Sequence, residues 1–229
     1  IDLKQYTHNV TVENCTFINC GIQAGSSGGN TAFRTVVSDC TFKNLGYSAI
    51  QARCQTITIE DVTVTDGAGG FNLQNSSNIT IEDVRVEVSQ FALWIGPGAA
   101  AGNVNIINSL LSATGTEHQW FGAIIFRDGS SGNVMITGSD IIGDVRCFTS
   151  PNVGINTDGV YWEGDMTGFD SSQLNIQNNS LIPHFGKSTV VTAGVDPTFT
   201  ITIPATVSFG TLTPGAGTVE KAFDVTASN

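Results

Sequence analysis

Apolar and polar residues alternate along most of the chain in one recurring phrase. An amide or other polar residue leads, apolar-x-apolar follows, a two-residue polar step intervenes, and a second alternation closes it. The copies read NVTVENCTF from Asn9, RTVVSDCTF from Arg34, TITIEDVTV from Thr56, NITIEDVRV from Asn78, NVNIINSLL from Asn103, NVMITGSDI from Asn133 and QLNIQNNSL from Gln173. Period-2 alternation sends the apolar set to one face of a strand, and a step such as Glu60-Asp61 turns the chain into a second strand. A third apolar run follows, as at Ala49-Ile50, Phe71-Asn72-Leu73, Leu93-Trp94-Ile95 and Ile124-Ile125-Phe126, set off by Gly or Ser. Helical periodicity is absent. The phase residues Val12, Val37, Ile59, Ile81, Ile106, Ile136 and Ile176 are separated by 25, 22, 22, 25, 30 and 40 positions. A period near 22 is one coil of a solenoid. The pattern therefore predicts an all-β fold, a parallel β-helix of about seven coils whose strands stack at about 4.8 Å.

Stacking turns equivalent positions into columns. The column ahead of the first strand, Asn9, Arg34, Thr56, Asn78, Asn103, Asn133 and Gln173, is rich in side chains able to hydrogen-bond up and down the stack. That reading competes with glycosylation at the sequons Asn9 and Asn78, whereas those at Asn75 and Asn178 sit in turn-like contexts. Glu60 and Glu82 fall 22 apart, as do Asp61 and Asp83. Stacked carboxylates repel, so the four are candidates to bind Ca²⁺, the alternative being a solvated turn edge. Cys15 and Cys40 occupy one motif position in adjacent coils, either as free stacked thiols or as a disulfide. Cys20, Cys54 and Cys147 are candidates for an intermolecular link, because the total of five cysteines is odd.

The two longest intervals hold apparent insertions, Ser112 to Gly122 and Gly143 to Ser172, carrying His118, Trp120, Tyr161, Trp162, Glu163 and Asp165. Solenoid insertions emerge as loops, so Trp120, Tyr161 and Trp162 are candidates for glycan binding, a subunit interface or lateral packing. The repeat covers residues 1–192. From about Ala193 the chain changes to alternating strands broken by Pro and Gly, so 193–229 is expected to form a short antiparallel, sandwich-like segment or an assembly arm. Nine basic against 20 acidic residues give a net charge of -11, which repels nucleic acid and anionic lipid and leaves neutral glycans or cations as partners. No apolar run reaches the length of a membrane span.

The repeat resembles the right-handed parallel β-helix superfamily, the pectate-lyase-like fold, and especially the NITI-x-x-x-x-V repeats of periplasmic copper-processing-type and microbial surface β-helix proteins. The phrase TIPATVSFGTLTPG resembles the opening strands of small surface-protein sandwich modules. Asn156-Thr157-Asp158-Gly159 is similar to a fragment of the polygalacturonase branch, whose Asp belongs to a three-carboxylate cluster for inverting hydrolysis. The paired aspartate, Gly-His-Gly and Arg-Ile-Lys that continue that family's pattern are missing. The resemblance implies a fold shared by enzymes, adhesins and structural proteins. Missing catalytic motifs, low charge, odd cysteines and an incomplete sandwich together lead to one expectation: a non-enzymatic structural or adhesive subunit of an extracellular microbial, plausibly archaeal, envelope. Such a subunit would polymerise through its solenoid ends and C-terminal strands, without a cofactor unless it holds Ca²⁺. The competing expectation is a carbohydrate-active domain, with a hydrolase centred on Asp158, Glu163 and Asp165 or a glycan site at the tryptophans.

Overall fold

In the computed structural model the chain divides into two units, Ile1–Ala193 and Gly194–Asn229. The structure describes residues 1–3, 9–25, 32–96, 100–115, 117–127, 131–148, 152–168, 173–177, 200–202 and 226–228. In the second unit these comprise one antiparallel pair, Thr200–Thr202 with Thr226–Ser228. The remainder of the expected sandwich-like segment lies outside the described residues.

The first unit is a parallel β-solenoid. Its first sheet runs Val10–Glu13, Ala32–Ser38, Cys54–Glu60, Asn78–Glu82, Ala100–Ile107, Ser131–Thr137, Asn152–Asp158 and Leu174–Gln177, each strand paired with the next. One column threads it through Val12, Val37, Ile59, Ile81, Ile106, Ile136, Thr157 and Ile176. The phase residues named from sequence are this column, and Thr157 fills the apparent 40-residue gap. Asn152–Asp158 escapes the sequence pattern because a threonine replaces the marker isoleucine. The stretch from Gly143 to Ser172 is accordingly not a loop insertion: it holds a third strand, Val145–Cys147, and the coil strands Asn152–Asp158, Tyr161–Glu163 and Met166–Thr167.

Beyond the corner lie two further rows of strands, called the second and third sheets although Thr63–Leu73 and Arg85–Ile95 run through both and join them in one 13-stranded sheet. Their second and third columns follow the same rule. Phe17, Phe42, Val64, Val86, Leu111, Ile141 and Trp162 stack in one. Ile22, Ile50, Phe71, Leu93, Ile124, Val145 and Met166 stack in the other. Together they form one continuous interior cluster. Each fully buried Ile, Leu, Val or Phe stabilises the coil by about 1.5–3 kcal/mol, and seven coils of such residues supply the core. Phe17 and Phe42 show the tightness of the fit, their rings stacked at 4.6 Å and 7°.

The corner after the first sheet explains the polar step of the motif. Asn14, Asp39, Asp61, Asp83 and Asn108 all lie in the left-handed region, with φ between 47° and 53°, and Gly138 and Gly159 take over at 55° and 64°. Asn, Asp and Gly tolerate that conformation where other residues do not. Backbone bonds join corner to corner, Asp39 N–H to Glu60 O at 3.2 Å and Asp61 N–H to Glu82 O at 3.2 Å. The next residue points inward and ties the corner down: the thiols of Cys15 and Cys40 and the hydroxyls of Ser109 and Ser139 donate to the carbonyl two residues back, at 3.1, 3.1, 2.7 and 2.9 Å. The expected hydrogen-bonding column is therefore displaced from its sequence-based position. Arg34, Asn78, Asn103 and Asn133 stand exposed, Gly154 breaks their column, and the Ser/Cys column carries the bonds.

Candidate functional site

The outer face of the third sheet is where the chain spends its large side chains. Along Ser48–Ala52, Gly69–Leu73, Phe91–Ile95, Gly122–Phe126 and Val145–Cys147, the row between the inward residues reads Gln51, Asn72, Trp94, Ile125 and Arg146. Ile125 and Phe91 are buried yet stand apart from the interior cluster, so this face has a small apolar layer of its own. Phe91 reaches it by lying flat over Gly69, where an added Cβ would sit 2.5 Å from the ring. The segment before Gly122 contributes Trp120 from outside.

Five rings run across the face. Tyr47 meets Phe91 edge-on at 6.2 Å, Phe91 meets Trp94 edge-on at 5.2 Å, Trp94 stacks on Trp120 at 5.7 Å and 16°, and Trp120 lies 4.7 Å from Phe148. The Arg127 guanidinium sits 4.0 Å from the Trp120 ring centre and 5.2 Å from that of Trp94. Cation–π contacts of this kind contribute about 0.5–2 kcal/mol. An amide chain borders the rings: Arg53 donates to Gln74 at 3.1 Å, Gln74 to Asn72 at 2.9 Å, and Asn72 to the Tyr47 hydroxyl at 3.4 Å. Tyr47 is 54% exposed, so one end of the strip is open to solvent. Arg146 closes the other end, bound to Asp144 at 2.6 Å and to the His118 carbonyl at 3.1 Å. Ser48 Oγ, Trp94 Nε1, Arg127 Nε and Arg146 Nε are buried without a hydrogen-bond partner, and the last three are N–H donors.

Sequence reasoning found Trp120 and missed its companions. Tyr47, Asn72, Trp94, Arg127 and Phe148 come from different coils, and only lateral stacking brings them together. A signal was nonetheless present: Trp94 stands at an outward position that carries the amides Gln51 and Asn72 in the two preceding coils. Trp162 is corrected from loop to core, since it is 7% exposed in the second inward column. Tyr161 beside it faces outward, and partial burial with the Glu163 and Asp140 carboxylates pushes its phenol pKa up.

The other predicted residues are dispersed. Asp158 stands at the first corner of its coil, whereas Glu163 and Asp165 flank the Gly164 corner, a strand of about 10 Å away. Asp165 is engaged by Asp144, which accepts its backbone N–H at 3.1 Å. Glu60 and Glu82 are in register and Asp61 and Asp83 are left-handed corner residues. Among the described residues no three His, Cys, Asp or Glu side chains gather as a metal site; Glu60 and Glu82 end their strands beside the corners that Asp61 and Asp83 form. Arg85 pairs with Glu87 at 2.6 Å on the surface.

All five cysteines are free thiols. Cys54 is fully buried against the Thr35 hydroxyl at 3.3 Å, and Cys147 is buried in the core, the opposite of the exposure an intermolecular link needs. Cys20 is exposed. Burial pushes the Cys147 thiol up to about 12 and raises those of Cys40 and Cys54. A groove of about 530 Å³ lies beside the strip's flank, lined by Leu45, Asp66, Glu87 and Ser112 among others. Among the described residues no helix is long and apolar enough to cross a membrane.

Comparison with known proteins gives one positive result, a match of residues 3–180 to the family described as the right-handed beta helix region. No curated protein and no solved structure matches the chain. The matched span takes in the three sheets, their inward columns and the aromatic strip, and so the chain belongs to the right-handed β-helix family.

Proposed function

We propose that this β-helix is a non-catalytic, adhesive module of an extracellular microbial envelope structure, and that it binds glycan along the outer face of the third sheet. The observation that carries this reading is the strip of Tyr47, Trp94, Trp120 and Phe148 bordered by Asn72, Gln74 and Arg127. Sugar rings present C–H faces that stack on aromatics and oxygens that accept from amides and guanidinium. The Gln74 amide and the Arg127 guanidinium, both half-buried, stand beside the rings as such donors. Low ionic surface, with 13% charged residues, suits an envelope component.

Assembly of copies end to end is part of the same proposal. Among the described residues the strand Val10–Glu13 pairs on one side only, with Ala32–Ser38, and Ile1 and Ile18 are exposed near that end, at 52% and 57%.

The test is a panel of neutral and acidic polysaccharides against the full chain and Trp120→Ala, read by calorimetry, with negative-stain microscopy of the same samples. Saturable binding that falls at least tenfold in Trp120→Ala is expected, together with filaments or sheets. Binding unaltered by Trp120→Ala, or none to any polysaccharide, overturns the glycan site. Hydrolysis of a polysaccharide abolished by Asp158→Asn would replace the reading with an enzymatic one.

A further inference from the structure

We infer that Cys15 and Cys40 are a redox-sensitive pair that closes to a disulfide and staples the first coil to the second at their shared corner. The two occupy one column: Thr16 pairs with Thr41, and Thr41 donates its N–H to the Cys15 carbonyl at 2.9 Å. In-register neighbours on stacked strands lie about 4.8 Å apart, inside the roughly 4.4–6.8 Å range of Cα separations found across disulfides. The thiols face the same way, each donating to the carbonyl two residues back.

Access differs between them in the useful sense. Cys15 is half-buried and within reach of a small reagent, whereas Cys40 is 1% exposed and sits behind it. With a low-molecular-weight disulfide such as oxidised glutathione as oxidant, Cys15 Sγ attacks one sulfur and releases one glutathione thiol. Cys40 Sγ then attacks Cys15 Sγ, forming the Cys15–Cys40 bond and releasing the second glutathione thiol. The two protons and two electrons of the pair end on the two glutathiones. Burial raises the Cys40 thiol, so the second step accelerates with pH.

The same column supplies the control. Ser109 and Ser139 make the corner bond that the thiols make, so Cys15→Ser and Cys40→Ser keep the corner while removing the cross-link. The full chain carrying Cys20→Ser is incubated with oxidised glutathione, titrated for thiols and mapped under non-reducing conditions. Expected is a fall from four thiols to two, a Cys15–Cys40 linked peptide, and a rise in Tm of about 5–10 °C that a dithiol reverses. Neither single Ser variant shows the rise. A stable glutathione adduct on Cys15 with Cys40 still free, four unreacted thiols, or a link from Cys15 to a second chain each overturns the pair.

Discussion

The outer faces of the first and third sheets belong to the same coils and cover the same core, yet they are built differently. On the first sheet the outward row reads Thr58, Thr80, Asn105, Met135, Asn156 and Asn175, mostly short polar side chains, with Asn175 Nδ2 donating a hydrogen bond to Asn156 Oδ1 at 3.1 Å. On the third sheet it reads Gln51, Asn72, Trp94, Ile125 and Arg146, overlaid by Phe91, Trp120 and Arg127. Inward positions vary little between the faces, because each must fit the residues one coil above and below. Outward positions meet no such demand. On the third sheet those positions carry the bulky groups on which the proposed glycan site is built.

The contrast breaks most severely from inside. Phe71 is fully buried in the third column, and Phe71→Ala should remove about 3–5 kcal/mol of stability by urea unfolding, whichever face is being studied. Filling Phe91's seat with Gly69→Val should cost about 1–3 kcal/mol by overpacking and should also displace the strip, a joint loss of Tm and of glycan binding.

Alkali gives a further separation. The Cys147 thiol is neutral in the fold up to about pH 12 against an ordinary 9.0, so its contribution is complete below pH 9. Between pH 9 and 12 the unfolded chain loses the proton first, and stability falls by up to about 1.4 kcal/mol per pH unit for such a group. Cys147→Ala should flatten that part of the stability–pH curve.

At the corner, Asp83→Ala should cost about 1–2 kcal/mol, because alanine resists φ of 51°, whereas Asp83→Asn and Asp83→Gly should be close to neutral. Thermal melts check this, and melts with and without Ca²⁺ test the other expectation for these carboxylates: a Ca²⁺-dependent Tm that Asp83→Asn abolishes would support a metal site there. The smallest effect on stability, about 1 kcal/mol, is expected for Trp120→Ala, whose ring stacks on Trp94 but lies outside the interior cluster. Its large effect should be on glycan binding alone, which distinguishes the face from the core.

Much of the coil was legible in advance, because period-2 alternation and a two-residue step leave marks in every copy. The coil at Asn152–Asp158 was lost where Thr157 stands in the isoleucine column, and with it Trp162 was misplaced into a loop. A threonine can stack at 3% exposure when its neighbours above and below are Ile136 and Ile176, but nothing local announces it. The carboxylates Glu60, Asp61, Glu82 and Asp83 were equally visible, and their chemistry was not. A left-handed corner asks for Asp or Asn, and a metal site asks for Asp or Glu, so composition alone cannot separate the two demands.

By itself the sequence determined the repeat, the inward columns and the acidic, weakly charged exterior, since these follow from the order of apolar and polar residues along one strand. Tertiary structure alone decided that Tyr47, Phe91, Trp94, Trp120 and Phe148 form one strip, whereas the stacking of Cys15 on Cys40 was already legible in their shared motif position. Apart from Phe91 and Trp94, which share one strand, the neighbours of the strip are about a coil or more apart in the chain. Their contact is fixed by the lateral register of stacked strands, a quantity that no local pattern encodes.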